Sequence, residues 1–504
     1  MFASKRVAQR VVESAVSAEF LECVRCGCAE DSARYSKVRL LAVSVVLFCA
    51  SIIPARASTI TVSNTNDNGS GSLRQALRDA HDGDTINFAV TGTIMLTSGG
   101  LPVNKSLTIS GPGKDQLSID GNQALLVFGI FPDKTATISG LSIRNGQAGI
   151  LNEHGTLTVS NCAVSGNSEV GLFNEGVLSV SNCVVSGNSG GGIFNDYVLM
   201  AIYCDVSGNP YGIDNDHGVE ASVSNCIVSS NHPYGGVLNN CGTGGPNDHI
   251  LAANLTIANT IISDNSESGV FNQGCQMMIL NSTLSGNSAG QEHAGGGISS
   301  PSTFKRPGAI DIANSTISSN SAATGGGMWA DWTRLSIVNS TISGNSASDY
   351  GGGIVSGVFG VMIVNSTVSG NSAPACGGVC GGAEIGNTIL NSNASGNIDG
   401  SVTSRGYNIS SDDGGGLLTG PGDQINTDPL LGPLRDHGGP TLTHMPMRGS
   451  PALDAGDPNF TPPPDHDQRG ACFLRVFGGR IDVGSVETQL RPRCVTPAPR
   501  STPH

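Results

Sequence analysis

Between Leu157 and Val368 the chain repeats one pattern of apolar and polar positions. With the Asn of each Asn-Cys or Asn-Ser/Thr step as origin, positions −4, −2 and +3 are apolar. Leu157, Val159 and Val164 stand around Asn161, and Leu178, Val180 and Val185 around Asn182. The set recurs as Leu255, Ile257, Ile262 at Asn259 and as Ile310, Ile312, Ile317 at Asn314. It returns as Leu335, Ile337, Ile342 at Asn339 and as Val361, Ile363, Val368 at Asn365. A spacing of two puts alternate side chains on one face of a strand, and the phase change at each Asn marks a bend. Each unit thus predicts two short strands meeting at a corner. Gly-Leu-Phe-Asn174 and Gly-Gly-Ile-Phe-Asn195 supply a third strand.

Cys162, Cys183, Cys204 and Cys226 fall at intervals of 21, 21 and 22 residues, each inside a near-copy of S-N-C-x-V-S-G-N-S. A fixed period of twenty-odd residues cut into three short strands is the unit of a parallel β-helix, in which each strand pairs with its equivalent one coil along, at about 4.8 Å. The expected fold is therefore all-β, a right-handed parallel β-helix with three strands per coil. The S-G-N element recurs, with variants, at Asn145, Asn167, Asn188, Asn209, Asn231, Asn265, Asn287, Asn320, Asn345, Asn371 and Asn397. That gives about eleven coils, or on the order of 50 Å of solenoid. Asn and Gly suit the corners because they tolerate positive φ, and Asn can also hydrogen-bond along a column of its copies. Gaps of 33, 25, 26 and 26 residues from Asn287 to Asn397 predict loops inserted at one corner.

The cysteine after each corner Asn has the parity of the inward +3 residue, so Cys162, Cys183, Cys204 and Cys226 are expected inside the coil. Thr260, Ser282, Ser315, Ser340 and Ser366 take that position later, again small side chains. A buried column of small groups fits better than a metal or redox stack, because apolar burial makes thiols inert. Cys241 and Cys275 follow equivalent Asn-rich corners in neighbouring coils and predict a disulfide, with Cys376–Cys380 and Cys472–Cys494 as further pairings.

The ends differ from the repeat. Ser72 to Ala80 reads as a short amphipathic helix, N-capped by Ser72, with Leu73, Ala76, Leu77 and Ala80 on one face. Such a helix would plug the open strand edges of the first coil. Earlier, Lys37 and Arg39 precede an apolar run from Leu40 to Ile53, followed by Ala55-Arg56-Ala57. These are the flanks of an export signal, and a mature start at Ser58 is expected. The stretch before it reads as an extended leader or an early start codon. No second apolar segment of spanning length follows, so no integral membrane segment is expected after signal removal. The expected organisation is residues 1–57 as leader and signal peptide, 58–125 as N-terminal cap and first coils, 126–412 as repeats, 413–488 as a mostly irregular or β capping domain, and 489–504 as a disordered tail.

Composition narrows the partners. A formal net charge of −14 with no offsetting basic stripe argues against nucleic acid. The Asn-x-Ser/Thr triplets at Asn281, Asn314, Asn339 and Asn365 have the form of glycosylation acceptors, but the repeat explains them without glycans.

The two ends also carry a resemblance. Ile60 to Phe88, with Leu73-Arg74-Gln75-Ala76, is similar to the N-terminal region of CSLREA-type bacterial surface proteins, although Ser72 stands where that motif has cysteine. The run from Asp428 through Arg435-Asp436, Asp454 and Asp457, Asp467-Gln-Arg469-Gly470, and Asp482 to Glu487 resembles the choice-of-anchor Q domain. The middle resembles right-handed β-helix and polymorphic outer-membrane-protein repeats. The resemblance implies an exported bacterial protein, secreted or held at the cell surface, and supplies no catalytic residue.

Three groups of side chains are candidates for chemistry. Glu153, Glu175, Asp196 and Asp216 follow successive third-strand Asn residues, and stacked carboxylates about 5 Å apart repel by roughly 1 kcal/mol per pair in water. Such a row is either splayed into solvent or bridged by calcium. Asp454, Asp457 and Asp467 form a second possible calcium group, with salt bridges as the alternative. Calcium is the only cofactor these residues suggest. Trp329, Trp332 and Tyr350 lie in the longer later loops, where aromatic rings stack on sugars or cover the coil's flank. The leading expectation is a non-enzymatic β-helix that contacts polysaccharide or a host or neighbouring surface. The alternatives are a polysaccharide lyase or glycoside hydrolase, and a structural scaffold or secreted passenger. A lyase needs a basic residue beside its carboxylates, and Lys305, Arg306 and Arg334 are among the few in the later coils.

Overall fold

A computed structural model describes residues 57–123, 126–241, 254–290 and 293–489. The expected leader, the cysteines Cys23, Cys26, Cys28 and Cys494, and nearly all of the tail lie outside them. The chain winds as a right-handed parallel β-helix whose strands pair in register with the coil before and the coil after. Three faces are distinguished here. Face A holds strands such as Val170–Asn174, face B strands such as Val177–Ser181, and face C strands such as Val184–Ser186. On face B one interior column runs Leu157, Leu178, Leu199, Ala221, Leu255, Met277, Ile310, Leu335, Val361, each paired with the next. All are buried. Identical positions meet because the pairing admits no register shift along this column.

The corners explain the asparagines. Asn161, Asn182, Asn225, Asn259, Asn281, Asn314, Asn339, Asn365 and Asn387 all have positive φ, between 48° and 54°. They turn the chain from face B to face C without the steric cost that other L-residues meet in that region. Tyr203 takes this corner in one coil, at φ 55° with its side chain exposed.

Buried polar groups inside the corners are satisfied by three columns. From Asn167 to Asn393, each side-chain amide donates to the side-chain oxygen of its copy one rung on, at 2.8–3.2 Å, and Asn393 then donates to Asn397 of the same coil. A second column, Asn152–Asn174–Asn195–Asn215–Asn239–Asn272, does the same at 2.7–2.8 Å. In the third, the Cys162 N–H donates to Cys183 Sγ at 3.4 Å and the Cys204 N–H to Cys226 Sγ at 3.3 Å. The pattern then passes through the hydroxyls of Thr260, Ser282, Ser315, Ser340 and Ser366. Cys162, Cys183, Cys204 and Cys226 are buried thiols in one line. For Cys183 and Cys226, hydrogen bonding to the preceding cysteine and then burial push the thiol far above its ordinary range.

Several expectations change in detail. Face C carries fourteen strands rather than about eleven, because coils at both ends lack the S-G-N corner used for counting. In the last coils faces A and B merge into single long strands, such as Ile354–Val364. Insertions occupy two corners, not one. Ser321–Thr324 and Ser346–Tyr350 pair as an extra two-stranded ladder between faces C and A, whereas Ser302 to Pro307 bulges between A and B. Disulfides join Cys241 to Cys275 and Cys376 to Cys380.

Helix α1, Leu73–Asp79, closes the N-terminal end. Ser72 Oγ accepts the Gln75 N–H at 3.2 Å, and Leu73, Ala76 and Leu77 enter the core. At the other end only Leu417 and Leu418 pack onto the core column. The remaining C-terminal segment lies along face C. Gln468 accepts from Thr341 Oγ1 at 2.6 Å and donates to Thr316 Oγ1 at 2.9 Å, while Asn339 donates to the His466 carbonyl at 2.8 Å. Asn339 and Asn365 are buried at that contact, so neither is open to a glycan.

Two substitutions test the corner logic. Tyr203→Asn should stabilise the protein by about 0.5–1 kcal/mol, because Asn adopts positive φ at lower cost. Asn231→Ala should destabilise it by about 2–4 kcal/mol, since the Asn209 N–H and side-chain amide lose their acceptor and the Val206 carbonyl loses a donor. Urea unfolding midpoints would measure both, and a neutral Asn231→Ala would contradict the role given to the column.

Candidate functional site: the aromatic groove of face A

The inward residues of face A, such as Leu172 and Ile193, leave their neighbours pointing outward. The outward column is Leu151, Phe173, Phe194, Asp214, Leu238, Phe271, Ser299, Trp329, Val355, Cys380 and Asp399. Most of it is apolar or aromatic, although it faces away from the core. Phe173 and Phe194 stack with centroids 4.7 Å apart.

In the middle of this column the corner residues rise as walls and enclose a groove of about 610 Å³. Asp214, Leu238, Phe271, Ser299 and Trp329 form the floor, while Tyr211, Tyr234, Glu267 and His293 stand at its edge. The small Ser299 between Phe271 and Trp329 leaves room above the floor. Tyr211 lies against Gly191, where a Cβ would sit 2.1 Å from the ring, so the glycine makes the space for the phenol. His293 Nδ1 lies 3.4 Å from Glu267 Oε2.

Asp214 is the distinctive group. It sits among apolar floor residues, with one hydrogen bond of 3.3 Å from the Asn240 side-chain amide. Burial, and then the Asp216 carboxylate, push its carboxyl up to about 7, against the lowering pull of Asn240 and His217. Burial, and then the Asp214 charge, also raise the Tyr211 hydroxyl.

The structure separates the aromatic residues expected to bind sugar. Trp329 is on the groove floor. Tyr350 ends an inserted strand beside face A, and its hydroxyl is raised first by burial and then by Asp399 of the outward column. Trp332 is elsewhere, in an edge-on cluster with Phe304 and Phe359 at 5.4 and 6.1 Å, on the corner between faces A and B.

Among the described residues no three His, Cys, Asp or Glu side chains converge as metal ligands. Glu153, Glu175, Asp196 and Asp216 stand on successive corners, with imidazoles beside three of them. His217 lies 3.2 Å from Asp216 and 4.0 Å from Asp196, and His154 lies 3.8 Å from Glu175. In the C-terminal segment the three acids have separate structural partners. Asp467 pairs with Arg469 at 2.6 Å, Asp454 donates its N–H to Asp482, and Asp457 accepts the Asn459 N–H.

Sequence reading missed Asp214, Tyr211, Tyr234 and Phe271. The signal was present in Gly-Leu-Phe-Asn and its copies, since an inward Leu172 forces Phe173 outward.

No protein-family model matches the chain, and no curated protein matches it. Among solved structures, pectate lyase Pel9A is similar over 86% of this chain and 96% of its own, at 15% identity and a TM-score of 0.31. The A-module of the Azotobacter vinelandii mannuronan C-5 epimerase AlgE4 is similar over 72% and 96%, at 13% identity and 0.41. The Dettilon tailspike protein is similar over 73% and 68%, at 12% identity and 0.35.

A pH dependence of stability follows from the raised carboxyls. Asp214 is held at about 7, and Glu487, buried and then repelled by Asp482, at about 8. Both therefore bind protons more tightly folded than unfolded. Their stabilising contribution is complete below about pH 4 and is lost as pH rises through 7 and 8. Unfolding free energy should fall across that window, and Asp214→Asn and Glu487→Gln should each flatten the fall in denaturant titrations at successive pH values.

Proposed function

We propose that this is an exported or surface-held β-helix protein that binds a polysaccharide along face A. One observation carries the reading: an outward column of aromatic and apolar residues that deepens into the groove of Trp329, Phe271, Tyr211 and Tyr234. Half-buried aromatic rings on a regular scaffold present flat apolar faces to the apolar faces of sugar rings, while Asn240, Ser268 and Ser299 offer hydrogen bonds to hydroxyls. In-register stacking supports a long, straight ligand, because it presents similar contacts at each rung. Export and surface placement rest on the Lys37–Ala57 signal pattern and on the choice-of-anchor Q resemblance of Asp428 to Glu487.

A second reading is favoured by Asp214. A carboxyl near neutrality suits a general acid, and Glu267 is the other carboxylate at the groove, which together would serve glycoside hydrolysis. Lyase chemistry on an acidic sugar finds less support, as no Lys or Arg is among the described residues lining the groove.

A glycan array run beside a reducing-end assay on the same polysaccharides separates these readings. Binding without turnover is expected. Trp329→Ala should weaken it roughly tenfold, about 1.4 kcal/mol, and Trp332→Ala should leave it unchanged. Sugar release abolished by Asp214→Asn would replace binding with hydrolysis, and loss of binding through Trp332 rather than Trp329 would move the site off the groove.

A further inference from the structure

We infer that the face A groove selects a glycan carrying free amino groups, with the ammonium seated between the Asp214 carboxylate and the tyrosine rings of Tyr211 and Tyr234 at the same end of the groove. This rests on the polysaccharide-binding reading and names its ligand class. Three observations converge on it.

The first is composition of the walls. Asp214 and Glu267 are the acids at the groove, His293 is already engaged with Glu267 at 3.4 Å, and the lining described contains no lysine or arginine. A uronic acid polymer would find like charge and no counter-charge there. The second is the state of Asp214. Its one hydrogen bond comes from a neutral amide, and Asp216, a further carboxylate, lies on the same strand. The nearby imidazole, His217, lies 3.2 Å from Asp216 rather than on Asp214, and a ligand ammonium would give the partly buried Asp214 carboxylate a partner of its own. The third is the aromatic surround. Tyr211, on the Asp214 strand, and Tyr234, on the next rung, line this end of the groove, and ring faces attract cations through their quadrupoles. Carboxylate and ring faces together suit an amine on a sugar better than a neutral hydroxyl. The chain's net charge of −14 favours the same ligand at longer range.

The experiment compares hexamers of β-linked glucosamine, N-acetylglucosamine and galacturonic acid by isothermal titration calorimetry against the full mature chain at pH 7. Glucosamine hexamer should bind roughly tenfold tighter than its acetylated counterpart. The preference should shrink between low and high salt. Asp214→Asn should bring the two affinities together. Tyr234→Ala, at an exposed edge position, provides a second variant that keeps the fold and should weaken the amine more than the acetamide. Equal affinity for the amine and acetylated hexamers, or tightest binding of galacturonate, would overturn the amine assignment while leaving carbohydrate binding intact. Failure of all three hexamers and of the array would instead remove the polysaccharide reading beneath it.

Discussion

In-register stacking of parallel rungs is the constraint on which the molecule depends. When each strand meets its own copy, each buried polar side chain must also meet its own copy. Asparagine solves this because its amide both donates and accepts, so one residue type satisfies itself indefinitely along a column. The columns from Asn167 to Asn393 and from Asn152 to Asn272 are that solution at two corners. Thiol and hydroxyl groups perform a similar role at the third, accepting one backbone N–H per rung. Interior Val, Ile and Leu supply the burial, but the polar columns decide where each corner falls.

The same repetition acts on the outer surface, with different consequences. Apolar copies stacked outward make a continuous apolar stripe, and carboxylate copies stacked outward repel. At the corners after Asn152, Asn174, Asn195 and Asn215 the repulsion is relieved by His154 and His217 lying between carboxylates. Burial, and then the neighbouring Asp216 and Glu175 carboxylates, still hold the Asp196 carboxyl above its ordinary range, against the opposing pull of the imidazoles. On face A the repetition is broken at Asp214, where an acid replaces the phenylalanine of the two preceding coils, and at Ser299, where a small residue opens a gap. Departures from the repeat, rather than the repeat itself, create the groove.

The C-terminal segment shows how a solenoid can protect a flank without adding strands. Outward Thr316, Thr341 and Thr367 on face C are buried and bonded to Gln468 and Ser485. Earlier rungs of the same face expose Ile227 and Ile261 at the equivalent positions. Beneath this cover lies a charged cluster in which Arg475, fully buried, donates to the carbonyls of Asp482 and Gly484, while Arg469 pairs with Asp467. These acids hold loops in place through side-chain and backbone bonds.

The solenoid was legible in the sequence because its signal is local and repeated: period-two apolar positions, a fixed return of Asn, and a capped amphipathic helix at Ser72 to Ala80. Parity alone put the four repeat cysteines in one interior line. What the sequence could not decide was any relation between residues that are not copies of one another. The distance of Trp332 from Trp329, three positions away in the chain but across a corner, depends on where the backbone turns. The alignment of Asp214, Phe271 and Trp329 along one outward column depends on how many residues each coil inserts before returning to face A. The draping of residues near Gln468 onto threonines more than a hundred positions earlier depends on a contact with no periodic trace. Periodicity specifies what stacks on what; only the closed path of each coil brings unlike side chains together, and the groove is made of unlike side chains.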